Sequence, residues 1–415
     1  MVLCKNLQKT TPVIKHENEY ILESNPDFRL RIYDSLTALP SHWEQAQPVD
    51  NLFLQRPYLS AVEKNPPTGY EFAYLVFYRN EIPLGVCYCQ VLEFKTDGSI
   101  REEVNNSAFA KATRFFKGFL IKKLSIKTLI CGNALLTGEH AFHFSSDIRT
   151  EKQFALIADA MKSVGKFYES KGEKIRGFLL KDFSDESLKG CGEFEKRGFH
   201  RVNFQPNMVM EIREDWKTFE DYLAAMTAKY RTRAKSSFKK GKDIVKQNFN
   251  EERIKLHHAR IFELYQGIEE GAGFSFAHLN KGYFCGLKET LGDDFNLTGY
   301  FLEDKLVGFY TTIKNGEETE AHFIGFDHDL NRSHRLYHNM LFDMVRDAVA
   351  QGSKRLVFAR TALEIKSSVG AVAEEMYCYT RHWYDLPNRF VPKIFSYLNP
   401  VEEWTPRNPF KEAGE

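Results

Sequence analysis

A pattern of strands and helices that occurs twice limits most strongly how this chain of 415 residues can fold. Each copy begins with two aromatic strands joined by a charged turn, over Tyr74–Phe94 in the first copy and Leu297–Lys314 in the second. In both copies a glycine between apolar residues opens the second strand, Gly85 in one and Gly308 in the other. The sequence therefore predicts two copies of one α/β unit.

The elements after the two hairpins correspond as well. Each copy continues with a strand that ends in glycine, then a helix, then a further strand. In the first copy these elements are predicted over Lys127–Gly132, Glu151–Ser170 and Ile175–Leu180, and in the second over Glu320–Gly325, His334–Gln351 and Arg355–Ala359.

The second copy has most of its polar residues in two turns. Apolar residues at spacings of three and four predict its helix, which Gly352 ends. Asp327–Ser333, before the helix, is predicted to be a turn. Units of this βαβ-like kind place their chemistry beyond the strand ends. We therefore expect the functional residues within His328–Arg335 and Arg360–Gly370.

The predicted fold class is α/β, with mixed sheets in two tandem domains. Asn203–Ile212 is predicted to be the closing strand of the first domain, and a basic helical segment, Asp215–Lys246, opens the second. The predicted division is a polar tail over residues 1–25, domains over 26–213 and 214–400, and a tail over 401–415. No Gly/Ser-rich linker separates the halves, so we expect them to pack together.

Charge and cysteine content restrict the partners and the compartment. With 57 basic and 56 acidic side chains the net charge is +1, so no overall field recruits nucleic acid, and no DNA partner is predicted. The seven cysteines form no CxxC pair, which indicates a reduced cytosolic protein with buried thiols. Neither a signal peptide nor a membrane-spanning run is recognised. The predicted location is the cytoplasm, extending to the inner face of the cell membrane.

Two basic stretches are candidates for contact with anionic partners. Phe109–Lys127 mixes six cations with large apolar residues, which suits either peripheral contact with an anionic membrane or a buried helix with snorkelling lysines. Ala228–Lys246 has eight cations against Asp243 alone. This second stretch, with Arg231 as the candidate substrate-binding residue, suits the phosphates of CoA, lipid or tRNA, or else is a solvated helix face.

Three segments carry a resemblance to a known family: KYRTRAKSSFKK (Lys229–Lys240), HFIGFDHDLNRSHRLYHNML (His322–Leu341) and FARTALEIKSSVGA (Phe358–Ala371). With the doubled hairpin and βαβ pattern, the chain resembles the GNAT superfamily of acyl-CoA-dependent N-acyltransferases. More narrowly, it is similar to tandem-GNAT proteins grouped with Fem-type aminoacyltransferases and predicted peptidoglycan-biosynthesis N-acyltransferases, whose relatives include bacterial ceramide synthases.

The resemblance implies acyl-CoA as co-substrate, with no permanently bound cofactor. In the GNAT pattern, backbone N–H groups at the start of the helix after the fourth strand receive the pyrophosphate of CoA. The usual glycines are absent there, so side-chain cations would replace the backbone, or the donor is a carrier-protein thioester or aminoacyl-tRNA. The matching residues in this sequence are Arg332, Ser333, His334, Arg335 and Leu336.

Three residues near that helix are candidate catalytic groups. His322 precedes the cradle and has the side chain of a base near neutral pH, or it is a hydrogen-bonded core histidine. Asp327, followed by His328, lies where an acceptor would arrive, or serves the turn. The Tyr337 hydroxyl is placed to protonate a leaving thiolate, or its ring is simply packed.

The second polar turn supplies three further candidates. Glu364 is predicted to accept the amine proton, while Lys366, also counted as catalytic, and Arg360 hold an anionic head group or phosphate. A local ion pair among them is the alternative. No metal or nucleotide motif is present, and the adjacent His257 and His258 make a poor ligand pair on a helix.

The predicted function is N-acylation of an amine on a lipid or cell-envelope precursor, with the second half carrying the transfer site. Two alternatives stay open. One is Fem-type transfer from aminoacyl-tRNA, and the other is a non-catalytic protein that binds an envelope precursor. The expected partners are therefore acyl-CoA or an acyl carrier protein, the amine-bearing precursor, and a membrane surface contacted through residues 109–127.

Overall fold

The computed structural model describes residues 18–95, 125–271, 278–398 and 403–411. Residues 109–124 of the predicted membrane-contacting stretch lie outside these ranges. The strands of the described residues are β1 (Glu19–Leu22), β2 (Asn25–Tyr33), β3 (Glu71–Arg79), β4 (Ile82–Lys95), β5 (Ser125–Cys131), β6 (Phe142–Phe144), β7 (Gly177–Phe183), β8 (His200–Asn203), β9 (Asn207–Glu211), β10 (Ile244–Asn248), β11 (Phe295–Leu302), β12 (Lys305–Asn315), β13 (Glu318–Phe326), β14 (Arg355–Val357), β15 (Val372–Glu374) and β16 (Tyr377–His382).

Helices connect these strands and cover both sheets. The described helices are α1 (His42–Ala46), α2 (Arg56–Lys64), α3 (Thr150–Ser170), α4 (Leu188–Lys196), α5 (Phe219–Ala225), α6 (Ala228–Lys240), α7 (Glu251–Gly271), α8 (Tyr283–Leu291), α9 (His328–His334), α10 (Leu336–Ala350), α11 (Leu363–Ser367), α12 (Asp385–Asn388) and α13 (Val391–Leu398), with short 3-10 turns at Leu52–Leu54 and Gly292–Asp294.

The two sheets share one plan. The first has the order β1-β2-β3-β4-β5-β7-β16-β8, with β6 beside β4, and the second has the order β10-β11-β12-β13-β14-β9-β15. In each, an antiparallel meander is followed by a parallel pair, β5 with β7 and β13 with β14, joined by the crossover helices α3 and α10. Because a parallel pair requires such a crossover, the doubled sequence pattern produces a doubled fold.

The halves exchange strands, which the sequence did not predict. β9 lies between β14 and β15 of the second sheet, and β16 lies between β7 and β8 of the first. The single closing strand predicted at Asn203–Ile212 is therefore wrong: it is two strands, one in each sheet. The turn at residues 204–206 separates them and redirects the chain. The division at 213/214 stays a prediction, although each sheet borrows a strand from across it.

Two predicted element boundaries also differ from the structure. Asp327–Ser333 is largely the short helix α9 and not a turn, because the Asp327 carboxylate caps its first N–H groups at Asp329 and Leu330. The basic helical segment ends at Lys240, after which Gly241 allows the chain to start β10 at Ile244. The corresponding glycines of the two hairpins do occupy equivalent places, Gly85 opposite Phe77 and Gly308 opposite Tyr300, each next to a β-bulge.

One hydrophobic cluster belongs to both halves. It combines Trp43, Tyr58 and Val62 of the first half with Tyr283, Phe309 and other buried side chains of the second. Helix α2 packs directly on α8, where Asn65 lies so close to Gly282 and Gly286 that a side chain at either glycine would collide with it. The halves are therefore packed together, as the absence of a flexible linker indicated.

The described cysteines carry free thiols, and all except Cys285 are buried. This agrees with the prediction of a protein with buried, unpaired thiols. None of the helices in the described ranges combines the length and apolar character needed to cross a lipid bilayer.

Candidate functional site

An open wedge interrupts the centre of the second sheet. The parallel pairing of β13 with β14 runs only from Glu318–Arg355 to Glu320–Val357. Beyond it, β13 continues to Phe326 beside β12, whereas the chain after β14 turns onto β9, where Phe358 N–H donates to the Met208 carbonyl (2.8 Å). Residues 321–324 of this central strand are consequently partly exposed. Among the described residues no strand pairs with β13 on this side beyond Glu320, so one side of the wedge is a strand edge.

The first half shows no equivalent groove among its described residues. The segment after β5 folds back against the end of β7 and occupies that space. Gly138 N–H donates to Asp182 (3.1 Å), and Lys181 Nζ donates to the Leu136 carbonyl (3.1 Å). Gly132, with φ 123°, makes the sharp departure from β5 that this path requires. The second half therefore offers the more open site.

A strained loop closes the end of the wedge. Ala359, Thr361 and Ala362 have φ values of 57°, 68° and 49°, a left-handed conformation that is costly for residues with a Cβ. The buried Lys366 side chain holds this loop by donating to the carbonyls of Ala359 (3.2 Å) and Arg360 (2.5 Å). Burial lowers the pKa of Lys366 to about 7. Lys366 thus supports the loop from behind, inside the protein.

A buried charge cluster links the loop to the first half. Arg360 Nη2 donates to Asp182 Oδ1 (2.5 Å) and Arg360 Nε donates to the Gln205 carbonyl (2.8 Å). Lys181 Nζ lies 2.5 Å from the other oxygen of the Asp182 carboxylate. Burial by itself would raise the pKa of Asp182, but the charges of Lys181 and Arg360 outweigh it and hold that pKa below its usual value. Asp182 is therefore ionised and fully paired.

A second buried pair lies at the narrow end of the wedge. Glu320, the last residue of β13 that pairs with β14, has Oε1 3.8 Å from Nε2 of His140, and both side chains are buried. Burial, reinforced by the charge of Glu318, raises the pKa of Glu320 well above its usual value. Burial lowers the pKa of His140 to about 4. Neither ring nitrogen of His140 has a hydrogen-bond partner in the described part of the chain.

A chain of hydrogen bonds connects the wedge to the first half. His322 Nε2 lies 3.1 Å from the Tyr283 hydroxyl, which is hydrogen-bonded to that of Tyr58. The Tyr58 hydroxyl in turn accepts from Asn133 Nδ2 (2.8 Å). Burial lowers the pKa of His322 to about 3, so its imidazole is neutral at pH 7. Its Nδ1 atom is buried and has no hydrogen-bond partner within the part of the chain that the structure describes.

Glu320 and His140 were not predicted from the sequence. For Glu320 a signal was present, because an acidic residue inside a buried strand is unusual unless its carboxyl group is paired or functional. For His140 no local pattern exists, since the loop that carries it approaches β13 only when the two halves pack. His322, which the sequence did predict, lies two residues after Glu320 on the same strand.

The architecture follows from these pairings. The chain is built from two tandem α/β units with mixed sheets. Each half carries the antiparallel meander and the parallel crossover pair that the sequence resemblance predicted, and the second half carries the open wedge.

Comparison with solved structures gives similar overall architectures at low sequence identity. The crystal structure of FemX matches with a TM-score of 0.49 and 11% identity, covering 83% of this chain and 94% of that one. A tandem GNAT protein from the clavulanic acid biosynthesis pathway matches with a TM-score of 0.48 and 10% identity, covering 85% of this chain and 98% of that protein. L-PGS from Bacillus licheniformis matches with a TM-score of 0.41 and 9% identity, covering 84% of this chain and 99% of that protein. No protein-family model matches the chain. None of the curated proteins matches it either.

The predicted phosphate cradle lies between α9 and α10 of the second unit. Arg335, in a left-handed conformation (φ 52°), joins the two helices, and Leu336 begins α10 with its side chain buried. The Tyr337 N–H already donates to Asn331 Oδ1 (3.0 Å), so this first-turn donor is occupied. Ser333 Oγ lies 2.9 Å from Nδ1 of the neighbouring His334. The cradle thus consists more of side chains than of free backbone groups.

The structure brings the predicted cradle next to the second basic stretch. Asn339, in the first turn of α10, donates to the Ser237 carbonyl of α6 (3.2 Å) and to the His334 carbonyl (3.0 Å). Arg332 and Arg335 are exposed and form no ion pair with a described residue. They lie beside the C-terminal end of α6, whose exposed cations include Lys235, Lys239 and Lys240.

A cavity of about 250 Å³ lies where α6, β10 and α10 meet. Its lining combines apolar side chains with two cations, and Asn339 Oδ1, a buried atom, has no hydrogen-bond partner there among the described residues. Both cations already contact Asp343, Lys246 at 2.5 Å and Arg346 at 3.7 Å. The cavity is lined by Phe238, Gly241, Ile244, Lys246, Tyr300, Leu336, Asn339 and Arg346.

Other predicted site residues are engaged elsewhere. Glu364 is exposed and accepts from Arg407 Nη2 (2.7 Å), so it ties down the C-terminal segment and does not point toward Arg360 or Lys366. The Asp327 carboxylate caps α9, and Arg231 Nη1 donates to the carbonyls of Ala224 and Met226 at the end of α5. The Tyr337 ring packs near that of Phe326, and burial raises the pKa of its hydroxyl. The catalytic role predicted for these residues stays a prediction.

Proposed function

We propose that the protein is an N-acyltransferase that moves an acyl group from a CoA-type thioester to an amine of a lipid or cell-envelope precursor. The observation that carries the proposal is the wedge between β13 and β14, where the pairing of the two strands stops beside the buried carboxyl group of Glu320. A thioester arm would lie along the unpaired edge of β13. Backbone N–H groups on that edge would donate to the oxyanion that forms during transfer.

Glu320 is the group best placed to take the proton of the amine. The amine nitrogen attacks the thioester carbon, the C–N bond forms, the C–S bond breaks, and the proton passes to the carboxylate while the thiolate leaves. A pKa raised by burial makes the ionised carboxylate a stronger base than an exposed one. His140 faces Glu320 from the first half and is suited to orient it.

The exposed cations beside the cradle would hold the phosphates of the donor. Arg332 and Arg335 lie close to the basic end of α6, so the positive charge from two separate segments is concentrated at one place. These cations would bind the phosphates in place of backbone N–H groups, because the cradle lacks glycines and its Tyr337 N–H is already occupied. The donor would extend from there into the wedge.

Thermal stability with acetyl-CoA, palmitoyl-CoA and free CoA tests the donor. A ligand that binds only the folded state stabilises it by mass action, by about 2.7 kcal/mol at a hundred times its Kd, and so raises the unfolding midpoint. We expect palmitoyl-CoA to raise the midpoint, and Arg332→Ala/Arg335→Ala to reduce that shift without lowering the midpoint of the free protein. No shift with any of the three ligands would contradict a CoA-type donor.

Aminoacyl-tRNA is a second candidate donor, and one specific observation favours it. The exposed face of α6 carries cations along its whole length, from Lys229 to Lys240, a larger basic surface than the phosphates of CoA require. Electrophoretic mobility shift with charged and uncharged tRNA distinguishes the two donors. Binding of tRNA at physiological salt without any CoA-dependent stabilisation would favour aminoacyl transfer.

A further inference from the structure

Exposed apolar side chains are concentrated near the C-terminus. Tyr384, Leu386, Phe390 and Ile394 are 51%, 70%, 53% and 48% exposed, and they fall within one short stretch, which we call the C-terminal patch. Most other large apolar side chains with such exposure lie singly along the described chain. Single exposed apolar residues are ordinary on protein surfaces, but a contiguous group of them marks an interaction surface.

The patch is held firmly and is not a frayed end. Asn388, which is buried, donates to the Gly198 carbonyl (2.7 Å) and accepts from the His382 N–H (2.8 Å). On α13 the Phe395 ring packs edge-on against Phe204, with ring centroids 5.0 Å apart. Contacts with β8 and β16 thus fix α12 and α13 to the first sheet, while the side chains of the patch stay exposed.

The charges within the patch are positive and unpaired. Arg389 and Lys393 are exposed, and neither forms an ion pair with any residue in the part of the chain that the structure describes. The acidic residue of the stretch, Asp385, is already bound by Arg381 (2.9 Å). An anionic bilayer presents negatively charged head groups over an apolar layer of acyl chains. Apolar side chains that alternate with unpaired cations suit this interface.

We propose that the C-terminal patch docks the protein on an anionic membrane surface. Phe390, Leu386 and Ile394 would enter the boundary between head groups and acyl chains, while Arg389 and Lys393 contact lipid phosphates. The inference rests on the proposed function only in that a lipid acceptor would require such contact. Docking itself needs no turnover, so vesicle binding tests it separately from the transfer reaction.

Co-sedimentation of the full-length protein with vesicles tests the proposal. One set of vesicles is phosphatidylcholine alone, and the other contains an equal part of phosphatidylglycerol. We expect binding to the anionic vesicles only, weakened by salt. Arg389→Gln/Lys393→Gln should lower the partition coefficient about tenfold or more, since each cation near an anionic surface contributes about 1 kcal/mol.

Two further variants separate the apolar contribution from general effects. Phe390→Ser/Ile394→Ser should abolish sedimentation with the anionic vesicles. Leu256→Ser, at an exposed apolar residue of α7 outside the patch, should bind the vesicles like the wild type. All variants are compared by thermal unfolding. The proposal is overturned if the wild type ignores anionic vesicles or if the patch variants still bind them. It is equally overturned if the patch substitutions only dissolve a dimer seen by sedimentation velocity.

Discussion

Arg360 Nη2 donates to Asp182 Oδ1 at 2.5 Å, joining residues at the ends of equivalent strands in the two halves of the chain. Asp182 follows the pairing of β7 with β5, and Arg360 follows β14. Both side chains are largely buried. The contact therefore joins the two units directly, and it holds the strained loop that ends the wedge.

Arg360→Met should destabilise the protein strongly. It leaves the fully buried Asp182 carboxylate with Lys181 as its remaining charged partner, and breaking a buried pair in this way costs about 3–5 kcal/mol. Urea denaturation measures the free energy of unfolding. Arg407→Met is the matched control, because the Arg407 pair with Glu364 is exposed and should leave stability nearly unchanged. Equal losses in both variants would contradict the central role of the Asp182 pair.

Glu320→Gln should abolish transfer while the protein stays folded. The substitution keeps the shape of the side chain but removes the carboxylate that accepts the amine proton, a step typically worth about 10²–10⁴ in rate. In the wild type the rate should rise with pH until Glu320 is ionised, since burial raises its pKa. The steady-state rate of amine acylation across pH measures both effects.

Glu364→Gln is the informative comparison for that experiment. Its carboxylate is exposed and paired with Arg407, outside the buried cluster, so we expect a turnover close to that of the wild type. A loss of turnover in Glu364→Gln with normal activity in Glu320→Gln would return the catalytic role to the residue that the sequence indicated.

Stability should depend on pH through the buried histidines. Burial lowers the pKa of His140 to about 4 and that of His322 to about 3, whereas both titrate near 6.5 when unfolded. As the pH falls below about 6.5 the unfolded chain binds protons that the folded chain does not, so each histidine lowers stability by up to about 1.4 kcal/mol per pH unit. Glu320 acts in the opposite direction because its folded pKa is raised.

His140→Asn isolates the contribution of one histidine to the pH dependence of stability. The slope of unfolding free energy against pH between about 6.5 and 4 should become smaller by up to about 1.4 kcal/mol per unit, whatever the variant's absolute stability. Chemical denaturation at several pH values gives the slope. An unchanged slope would mean that His140 is protonated in the folded protein and forms an ion pair with Glu320.

Gly85→Ala should cost more stability than Gly308→Ala. A Cβ at Gly85 would lie 2.3–2.5 Å from ring atoms of the buried Phe144, which cannot move aside. At Gly308 the nearest atom is the terminal methyl of Met340 at 2.4 Å, the end of a flexible side chain. We expect about 1–3 kcal/mol for the first substitution and less for the second, measured by thermal or urea unfolding. Reversed losses would contradict this account of the two bulges.

Local patterns in the sequence were sufficient for the repeated architecture. Alternation of aromatic residues, the glycines at the bulges and the helical spacing before Gly352 act over a few neighbouring residues, so each predicts its own element. Their repetition in the same order predicted two tandem α/β units with mixed sheets. The functional roles assigned to the polar turns after β13 and β14 stay predictions, although His322 and Arg360 both lie beside the wedge.

Only the tertiary structure decided which of those residues meet. The exchange of β9 and β16 between the sheets, the approach of His140 to Glu320 and the capture of Glu364 by Arg407 all join residues far apart in the chain. No periodicity records such contacts, because they form when two separately specified units bury a common core. Burial also sets the charge of Glu320, His322 and Lys366, since it removes the water that would otherwise favour the ionised form. The sequence by itself determined most elements and their order, and the packing of the two halves determined which buried groups meet at the wedge.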